Sequence, residues 1–269
     1  MKDRLKLVTW NINSVRLRMP IVEKLIDEVA PDVICLQETK CPDANFPENA
    51  IRKAGYEHIA INGQKGYHGV ATLSRRPLSN VEKRDFCNVG DSRHVAVDIP
   101  FNGASLRVHN FYVPAGGDEP DRKINPKFGH KLDFMDEMKG WLKGKETDRP
   151  AVLVGDLNVA PYEHDVWSHK QLLKVVSHTP VETDLFEKVR EAGGWLDAMR
   201  RFTPLEEKLY TWWSYRAKDW SKADKGRRLD HVWVSGPLAS HVKSTSVIRE
   251  ARGWEKPSDH APVIAVFEA

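Results

Sequence analysis

Short apolar segments that end in an acidic or amide side chain recur along this chain of 269 residues. The apolar run 33–36 leads into Glu38, and the run 151–154 leads into Asp156. A carboxylate beside a buried strand end is costly, because desolvation favours its neutral form. One such residue is usually a turn or helix-cap residue, but several together favour a bound cation. The residues placed in this way are Asn11, Glu38, Asp156 with Asn158, Asp230, and Asp259 with His260.

The ligand types at these positions narrow the kind of metal. They are mainly oxygen donors, and no cysteine and no histidine cluster accompanies them. Oxygen donors suit a hard cation rather than zinc. The pattern therefore predicts Mg²⁺, with Mn²⁺ as a substitute.

Strand and helix patterns alternate through the whole sequence. Helices are predicted at 21–29 with Pro20 in the first turn, at 50–54, at 130–143, and at 180–192 after a Thr179 capping box. Strands are predicted at 5–10, 33–36, 69–74, 94–99, 106–113, 151–154, 228–234 and 261–267. Because the two kinds interleave without a Gly/Ser linker, we predict a single domain over residues 1–269, an α/β sandwich.

Composition excludes several classes of protein. Hydrophobic residues make up 41% of the chain, yet no apolar run approaches the roughly 20 residues that a membrane span needs. No signal-peptide core follows Met1, and the three cysteines form no Cys-x-x-Cys motif. We therefore expect a cytoplasmic protein without a membrane partner. The net charge of +3 indicates no partner by itself.

Six motifs, in order, resemble those of the bacterial exonuclease III branch of the AP endonucleases, within the endonuclease/exonuclease/phosphatase superfamily. The resemblance runs from about residue 5 to residue 267. The Gly-Asp-x-Asn and Ser-Asp-His motifs mark the superfamily, whereas 36–40 and the segment 211–216 are typical of its DNA-repair branch. The six motifs are Thr9-Trp10-Asn11-Ile12-Asn13, Leu36-Gln37-Glu38-Thr39-Lys40, Tyr112-Val113-Pro114, Gly155-Asp156-Leu157-Asn158, Arg228-Leu229-Asp230 and Ser258-Asp259-His260-Ala261-Pro262.

The resemblance implies a fold and an activity. The fold is a four-layer α/β (α+β) sandwich, in which two packed mixed β-sheets are flanked by helices, as in DNase I. The activity is that of a hydrolase, an exodeoxyribonuclease III or AP endonuclease that depends on Mg²⁺. It would hydrolyse the phosphodiester 5′ to abasic sites and remove nucleotides or blocking groups 3′→5′ from double-stranded DNA. A monomer is expected.

Site residues are carried over by position. Glu38 would be the principal metal ligand, Asn11 and Asp259 would lie nearby, and Asp156 and Asn158 would offer a second metal position, with His260 beside them. Either His260, oriented by Asp230, or Asp156 would activate water. Asn158 would donate a hydrogen bond to the water or the oxyanion. Tyr112 would bind the phosphate or assist the leaving oxygen.

The segment 208–228 is the main candidate for a DNA surface. It carries seven basic residues against two acidic ones, interleaved with five tyrosines and tryptophans. Basic side chains neutralise phosphates and aromatic rings contact unpaired or missing bases, although a solvated loop with core tryptophans would have the same composition. The resemblance places Trp212 at the abasic sugar. The predicted DNA-binding residues are Trp212, Arg216, Lys123, Lys127 and Arg93.

One departure from the family lies after Pro114. The family usually has a polar Asn or Gln there, whereas this chain has Ala115 at the start of a longer loop. The balance between abasic-site cleavage and exonuclease activity is therefore left open. Two alternatives also remain: a superfamily enzyme with another substrate (inositol phosphates, sphingomyelin or nonspecific DNA), and a noncatalytic DNA-binding module.

Overall fold

The computed structural model describes residues 3–269, and most of its strands belong to two six-stranded sheets. The first sheet has the order β13-β14-β1-β2-β4-β3, and the second the order β5-β6-β7-β8-β12-β9. The strands are β1 (Arg4–Asn11), β2 (Val33–Gln37), β3 (His58–Asn62), β4 (Val70–Ser74), β5 (Ser79–Lys83), β6 (His94–Phe101), β7 (Ala104–Tyr112), β8 (Ala151–Asp156), β9 (Leu196–Asp197), β10 (Trp212–Trp213), β11 (Gly226–Arg227), β12 (Asp230–Val234), β13 (Val242–Val247) and β14 (Val263–Glu268).

Helices cover the outer faces of the two sheets. Apolar residues of α1 and α2 pack on the first sheet, and those of α3 and α5 pack on the second. The helices are α1 (Val15–Val29), α2 (Glu48–Lys53), α3 (Pro126–Leu142), α4 (His169–Leu172), α5 (Pro180–Ala192), α6 (Ala198–Phe202), α7 (Trp220–Ala223) and α8 (Gly236–Ala239). In residues 3–269 no helix is both long enough and apolar enough to cross a bilayer.

The apolar strands are buried on both faces. In β1, Leu5 and Leu7 pack into the core between the sheets, whereas Val8 and Trp10 pack outward under the helices. Because successive side chains of a strand point to opposite faces, a strand in this position is apolar without alternation. Each sheet is mixed: β1 is parallel to β2 but antiparallel to β14, and β7 is parallel to β8. The predicted four-layer sandwich is confirmed.

Three predicted helices begin earlier than expected, and the second of them, α2, begins at Glu48 instead of residue 50. The first begins at Val15, and a kink at Arg18 separates its first turn from the predicted part, since Pro20 has no N–H to donate to the preceding turn. The third begins at Pro126, because the Asn125 side chain accepts a hydrogen bond from the Lys127 amide at 3.0 Å and caps the helix.

The strands missing from the sequence prediction are mainly those at the sheet edges. They include β3 and β13 in the first sheet and β5 in the second. Almost all of β5 is exposed, and edge strands carry polar residues that oppose pairing with other molecules. Polar residues predominate in β5 and β13, whereas β3 contains an apolar run, Ile59-Ala60-Ile61, that the sequence prediction missed.

A close backbone approach brings Asp156 into position. Gly155 has φ of +141°, and a Cβ atom there would lie 1.9 Å from the carbonyl oxygen of Phe111 on β7. Only glycine avoids this overlap. The Gly-Asp-x-Asn motif thus begins with a residue that the β7–β8 pairing requires.

Asn110 joins the two sheets through buried hydrogen bonds. Its Nδ2 donates to the carbonyl oxygens of Leu36 and Ala71 in the first sheet, at 3.1 and 3.0 Å. Its Oδ1 accepts from Nε2 of Gln37 at 2.8 Å. All of these polar atoms lie in the core, where a missing partner costs about 1–3 kcal/mol for each group.

We expect Asn110→Leu to lower the free energy of unfolding by about 2 kcal/mol or more, because it leaves buried acceptors and the Gln37 amide without partners. Urea unfolding followed by circular dichroism measures the change. The exposed Asn45→Leu is the matched control and should change stability by less than about 0.5 kcal/mol. Equal effects of the two substitutions would contradict the structural role of Asn110.

Candidate active site

Most of the polar strand ends identified in the sequence line one cleft of about 530 Å³. Asn11 and Asp230 are fully buried and contact the lining residues Asp156 and His260. Parallel strands end at the same edge of a sheet, and the antiparallel strands β12 and β14 begin there. Asp230, the first residue of β12, is the direct partner of Asp156, the last residue of β8. The predicted residues that line the cleft are Glu38, Asp156, Asn158, Trp212, Arg216, Asp259 and His260.

Asn11 connects the carboxylates of the two sheets. Its Nδ2 donates to Oε1 of Glu38 at 2.9 Å and to Oδ2 of Asp156 at 2.8 Å. Glu38 follows β2 in the first sheet, whereas Asp156 ends β8 in the second. One amide nitrogen therefore brings two carboxylate oxygens together across the sandwich.

Glu38 has three donors around its carboxylate. Besides Asn11, the Tyr112 hydroxyl donates to Oε1 at 2.8 Å, and Lys40 Nζ lies 2.8 Å from Oε2. Burial raises the pKa of Glu38, but Lys40 and Asn11 outweigh it, so the pKa is lowered overall. The carboxylate is thus ionised and available as a cation ligand.

His260 lies between two aspartates. Its Nδ1 is 2.8 Å from Oδ2 of Asp230, and its Nε2 is 3.6 Å from Oδ2 of Asp156. The Thr211 hydroxyl donates to the same Asp230 oxygen at 2.6 Å. Asp230 therefore fixes one ring nitrogen and the other faces the cleft carboxylate.

The charges of this group are coupled. Burial alone lowers the pKa of His260, but Asp230 and Asp156 together raise it to about 10. Burial raises the pKa of Asp156 to about 7, and the charge of Asp230 adds to the rise although His260 opposes it. The imidazole consequently holds its proton at neutral pH.

Asn158 and Asp259 are each held in place by neighbours. Asn158 has φ of +54°, and its Nδ2 donates to the carbonyl of Val113 at 2.8 Å. The carboxylate of Asp259 accepts from Nε1 of Trp212 at 3.0 Å and from Nδ2 of Asn13 at 3.2 Å. Both side chains therefore have set orientations at the cleft.

The three other predicted DNA-binding residues lie outside the cleft lining. Lys123 and Lys127 are exposed: Lys123 lies near the end of a loop whose residues Ala115 and Gly117 do line the cleft, and Lys127 lies in the first turn of α3. Arg93 is only 6% exposed. Its guanidinium lies 4.9 Å from the Tyr112 ring centroid and pairs with Asp91 at 2.8 Å. Arg93 thus packs against the Tyr112 ring. Direct contact between Arg93 and DNA stays a prediction.

The donor set suits a hard divalent cation. Glu38, Asp156 and Asp259 supply carboxylate oxygens, and Asn11 and Asn158 supply amide groups, the donors that Mg²⁺ prefers. Ligand atoms of Asp156, Asp230 and His260 also lie within 4.8 Å of one another. Desolvation of so many carboxylates is costly without a cation, and the raised pKa of Asp156 reflects that cost.

Several residues that shape the site had no role assigned from the sequence. Lys40 lies two residues after Glu38 and also donates to Oδ1 of Asn13 at 2.6 Å. Thr211 accepts from the backbone amides of Leu229 and Asp230 at 3.0 and 3.1 Å. Lys40 lies in segment 36–40 and Thr211 in segment 211–216, so their location in these family-like segments could have indicated a role in the site. Arg227 lines the cleft but lies outside those motifs.

Comparison with known proteins places this geometry in a family. Residues 8–260 match the model of the Endonuclease/Exonuclease/phosphatase family. The chain is 32% identical to "Exodeoxyribonuclease III" of Haemophilus influenzae over 98% of this chain and 100% of the relative.

Solved structures give the same result. An AP endonuclease from Archaeoglobus fulgidus is 32% identical, with a TM-score of 0.90 over 98% of this chain and 100% of that one. The Neisseria 3′ phosphatase NExo, bound to a product DNA hairpin, is 30% identical, with a TM-score of 0.89 over 98% of this chain and 100% of that one. The predicted resemblance is confirmed: the chain belongs to the Endonuclease/Exonuclease/phosphatase family.

Proposed function

We propose that this chain is a Mg²⁺-dependent phosphodiesterase that cuts DNA 5′ to abasic sites and removes nucleotides or blocking groups from 3′ ends. That it is a DNA-repair nuclease, and so a hydrolase, follows from its full-length similarity to exodeoxyribonuclease III and AP endonuclease relatives. The observation that carries the finer proposal is the cleft itself. An oriented imidazole and a set of carboxylates face a wall that contains Trp212 and Arg216.

Mg²⁺ would be held chiefly by Glu38, with Asn11 and Asp259 nearby and Asp156 and Asn158 at a second position; Mn²⁺ is the expected substitute. His260 would bind the metal through Nε2 only after losing a proton, because Asp230 and Asp156 raise the pKa of its ring to about 10 against the effect of burial. When bound, the cation would stabilise negative charge on the phosphate oxygens and lower the pKa of nearby acids.

The proton positions support Asp156 as the group that activates water. A base must be unprotonated, and the pKa of His260, raised to about 10 by Asp230 and Asp156 against the effect of burial, keeps that ring charged at neutral pH. Asp156 titrates near neutrality even without a cation, with a pKa of about 7 caused by burial. His260 then serves as a fixed positive charge toward the phosphate.

The remaining groups position the substrate. Asn158 has a second amide hydrogen free for the attacking water or the developing oxyanion, since one is used by Val113. The Tyr112 hydroxyl donates its one proton to Glu38, and it would bind the phosphate or the leaving oxygen when a cation takes over that carboxylate oxygen. Arg93 keeps the Tyr112 ring in place.

DNA would lie along the basic and aromatic wall. The abasic sugar would pack against Trp212, whose indole N–H is anchored on Asp259, and Arg216 would contact the backbone. Lys123 and Lys127 would follow the duplex beyond the cleft. A single domain over residues 1–269, a monomeric state and a cytoplasmic location stay predictions.

A labelled duplex with one tetrahydrofuran abasic analogue tests this proposal. We expect a cut immediately 5′ to the analogue in Mg²⁺ and no cut in EDTA, because the acidic cleft needs a divalent cation to accept a phosphate. Denaturing gels resolve the products. Re-addition of Mn²⁺ should restore cleavage.

Other products would change the assignment. Progressive shortening of 3′ ends without the internal cut would make the chain chiefly an exonuclease and would implicate Ala115 and the loop after it. Cleavage of neither kind would contradict the DNA-repair activity and redirect the search to phosphorylated small molecules.

Asp156→Asn should leave the fold intact and lower the turnover number by at least about 10²-fold, since it removes the proposed base. Single-turnover cleavage and circular dichroism measure the two effects. Asp133→Asn, an identical change at an exposed ion pair with Arg122, should retain wild-type turnover. Near wild-type cleavage by Asp156→Asn would remove this residue from the mechanism.

Trp212→Ala should lower kcat/KM on the abasic duplex by about tenfold or more, because a sugar or base contact with an aromatic ring contributes about 1–3 kcal/mol. Fluorescence anisotropy on an undamaged duplex is the control, and its Kd should change much less. If the variant binds and cuts abasic DNA as wild type does, the sugar does not pack on Trp212.

A further inference from the structure

Arg227 is a half-buried cation in the cleft without a carboxylate partner. Its NH1 donates to the Val176 carbonyl at 3.0 Å and to Oγ of Ser177 at 2.9 Å. Its Nε is buried and has no hydrogen-bond partner. Within residues 3–269 no carboxylate forms an ion pair with it: burial lowers its pKa, and the charge of Glu182, which pairs with Lys131, opposes this only from beyond ion-pair distance. The adjacent Arg228, in contrast, pairs with two aspartates.

The Arg227 guanidinium is fixed over Trp212. The two residues are direct partners in the β10–β11 ladder, so their side chains share one face. The guanidinium carbon lies 5.3 Å from the Trp212 ring centroid. The indole N–H of the same ring donates a hydrogen bond to the carboxylate of Asp259. Trp212 therefore lies between Arg227 and the carboxylate end of the cleft.

The surroundings indicate what the guanidinium would bind. Trp167, Val175 and Leu229 line this part of the cleft with apolar surface. An apolar wall with one aromatic face suits a sugar, and a preorganised guanidinium suits a phosphate oxygen. A partly buried charge without a partner is costly, so an anion of the substrate would offset that cost.

We infer that Arg227 binds a second DNA phosphate: the one on the 3′ side of the sugar that packs against Trp212, next to the scissile phosphate. This inference rests on the proposed function, which puts the abasic sugar at Trp212. Arg227 thereby favours sugars inside a strand, which carry a 3′ phosphate, over sugars at a strand end, which do not. It is a specificity-determining residue rather than a catalytic one.

Two duplexes test the inference. Both contain one internal tetrahydrofuran analogue and the same scissile bond. In one, the phosphate 3′ to the analogue is a normal diester; in the other, it is a neutral methylphosphonate. Cleavage in Mg²⁺ gives kcat/KM, and fluorescence anisotropy in EDTA gives Kd without chemistry.

For wild type we expect neutralisation of that phosphate to lower kcat/KM and affinity about tenfold, as for loss of one charge-assisted hydrogen bond. On the normal duplex, Arg227→Met should have a kcat/KM and an affinity about tenfold lower than wild type. Neutralising the phosphate should lower the values of this variant by less than about twofold more, because the two changes remove the same contact. The matched control Arg216→Met should weaken both duplexes alike and keep the tenfold difference.

Two results would overturn the inference: a tenfold decrease in kcat/KM and affinity when the phosphate is neutralised for Arg227→Met, or no such decrease for wild type. If Arg227→Met does not fold by circular dichroism, Arg227→Gln serves instead, since its amide can still donate to Val176. Absence of cleavage by wild type in Mg²⁺ would contradict the proposed function alone, because the anisotropy comparison still decides whether Arg227 senses the phosphate.

Discussion

The Asn11 amide nitrogen is where the acidic ends of the two sheets meet. It donates to Glu38 on one side and to Asp156 on the other. The carboxylates would otherwise repel one another in a site that excludes water. With Asn11 between them they converge on one cleft, and the positions of His260 and Tyr112 follow, because each contacts one of these two carboxylates.

The charge balance of the cleft explains its division into two parts. On the carboxylate side, Lys40 offsets Glu38, His260 offsets Asp230 and Asp156, and two neutral donors hold Asp259. On the other side, Arg227 and Arg216 form no ion pair with a carboxylate of the described chain, although Asp118 lines the same cleft. In the proposed function, a polyanionic substrate would meet cations at this wall and the metal ion would be needed only on the carboxylate side.

The sequence predicted the central strands and the residues at their ends, because a buried strand that ends in a carboxylate is both apolar and chemically unusual. It did not predict β5 or β13, whose residues are mostly polar at the sheet edges, and it also missed β3 despite the apolar run Ile59-Ala60-Ile61. Nor did it predict the role of Asn110, or distinguish Arg227 from the other basic residues of segment 208–228. Both residues depend on partners that are distant in the sequence, such as Leu36 for Asn110 and Val176 for Arg227. The local spacing of residues does not predict such contacts.

The position of β14 has a consequence for how the enzyme is made. This strand lies between β13 and β1 in the first sheet, directly after Asp259 and His260. A nascent chain that has not yet produced residues 258–268 therefore lacks both the imidazole and the neighbour that β1 needs on one edge. Assembly of the active site therefore depends on the pairing of β14 with β1, which holds Asp259 and His260 at the cleft.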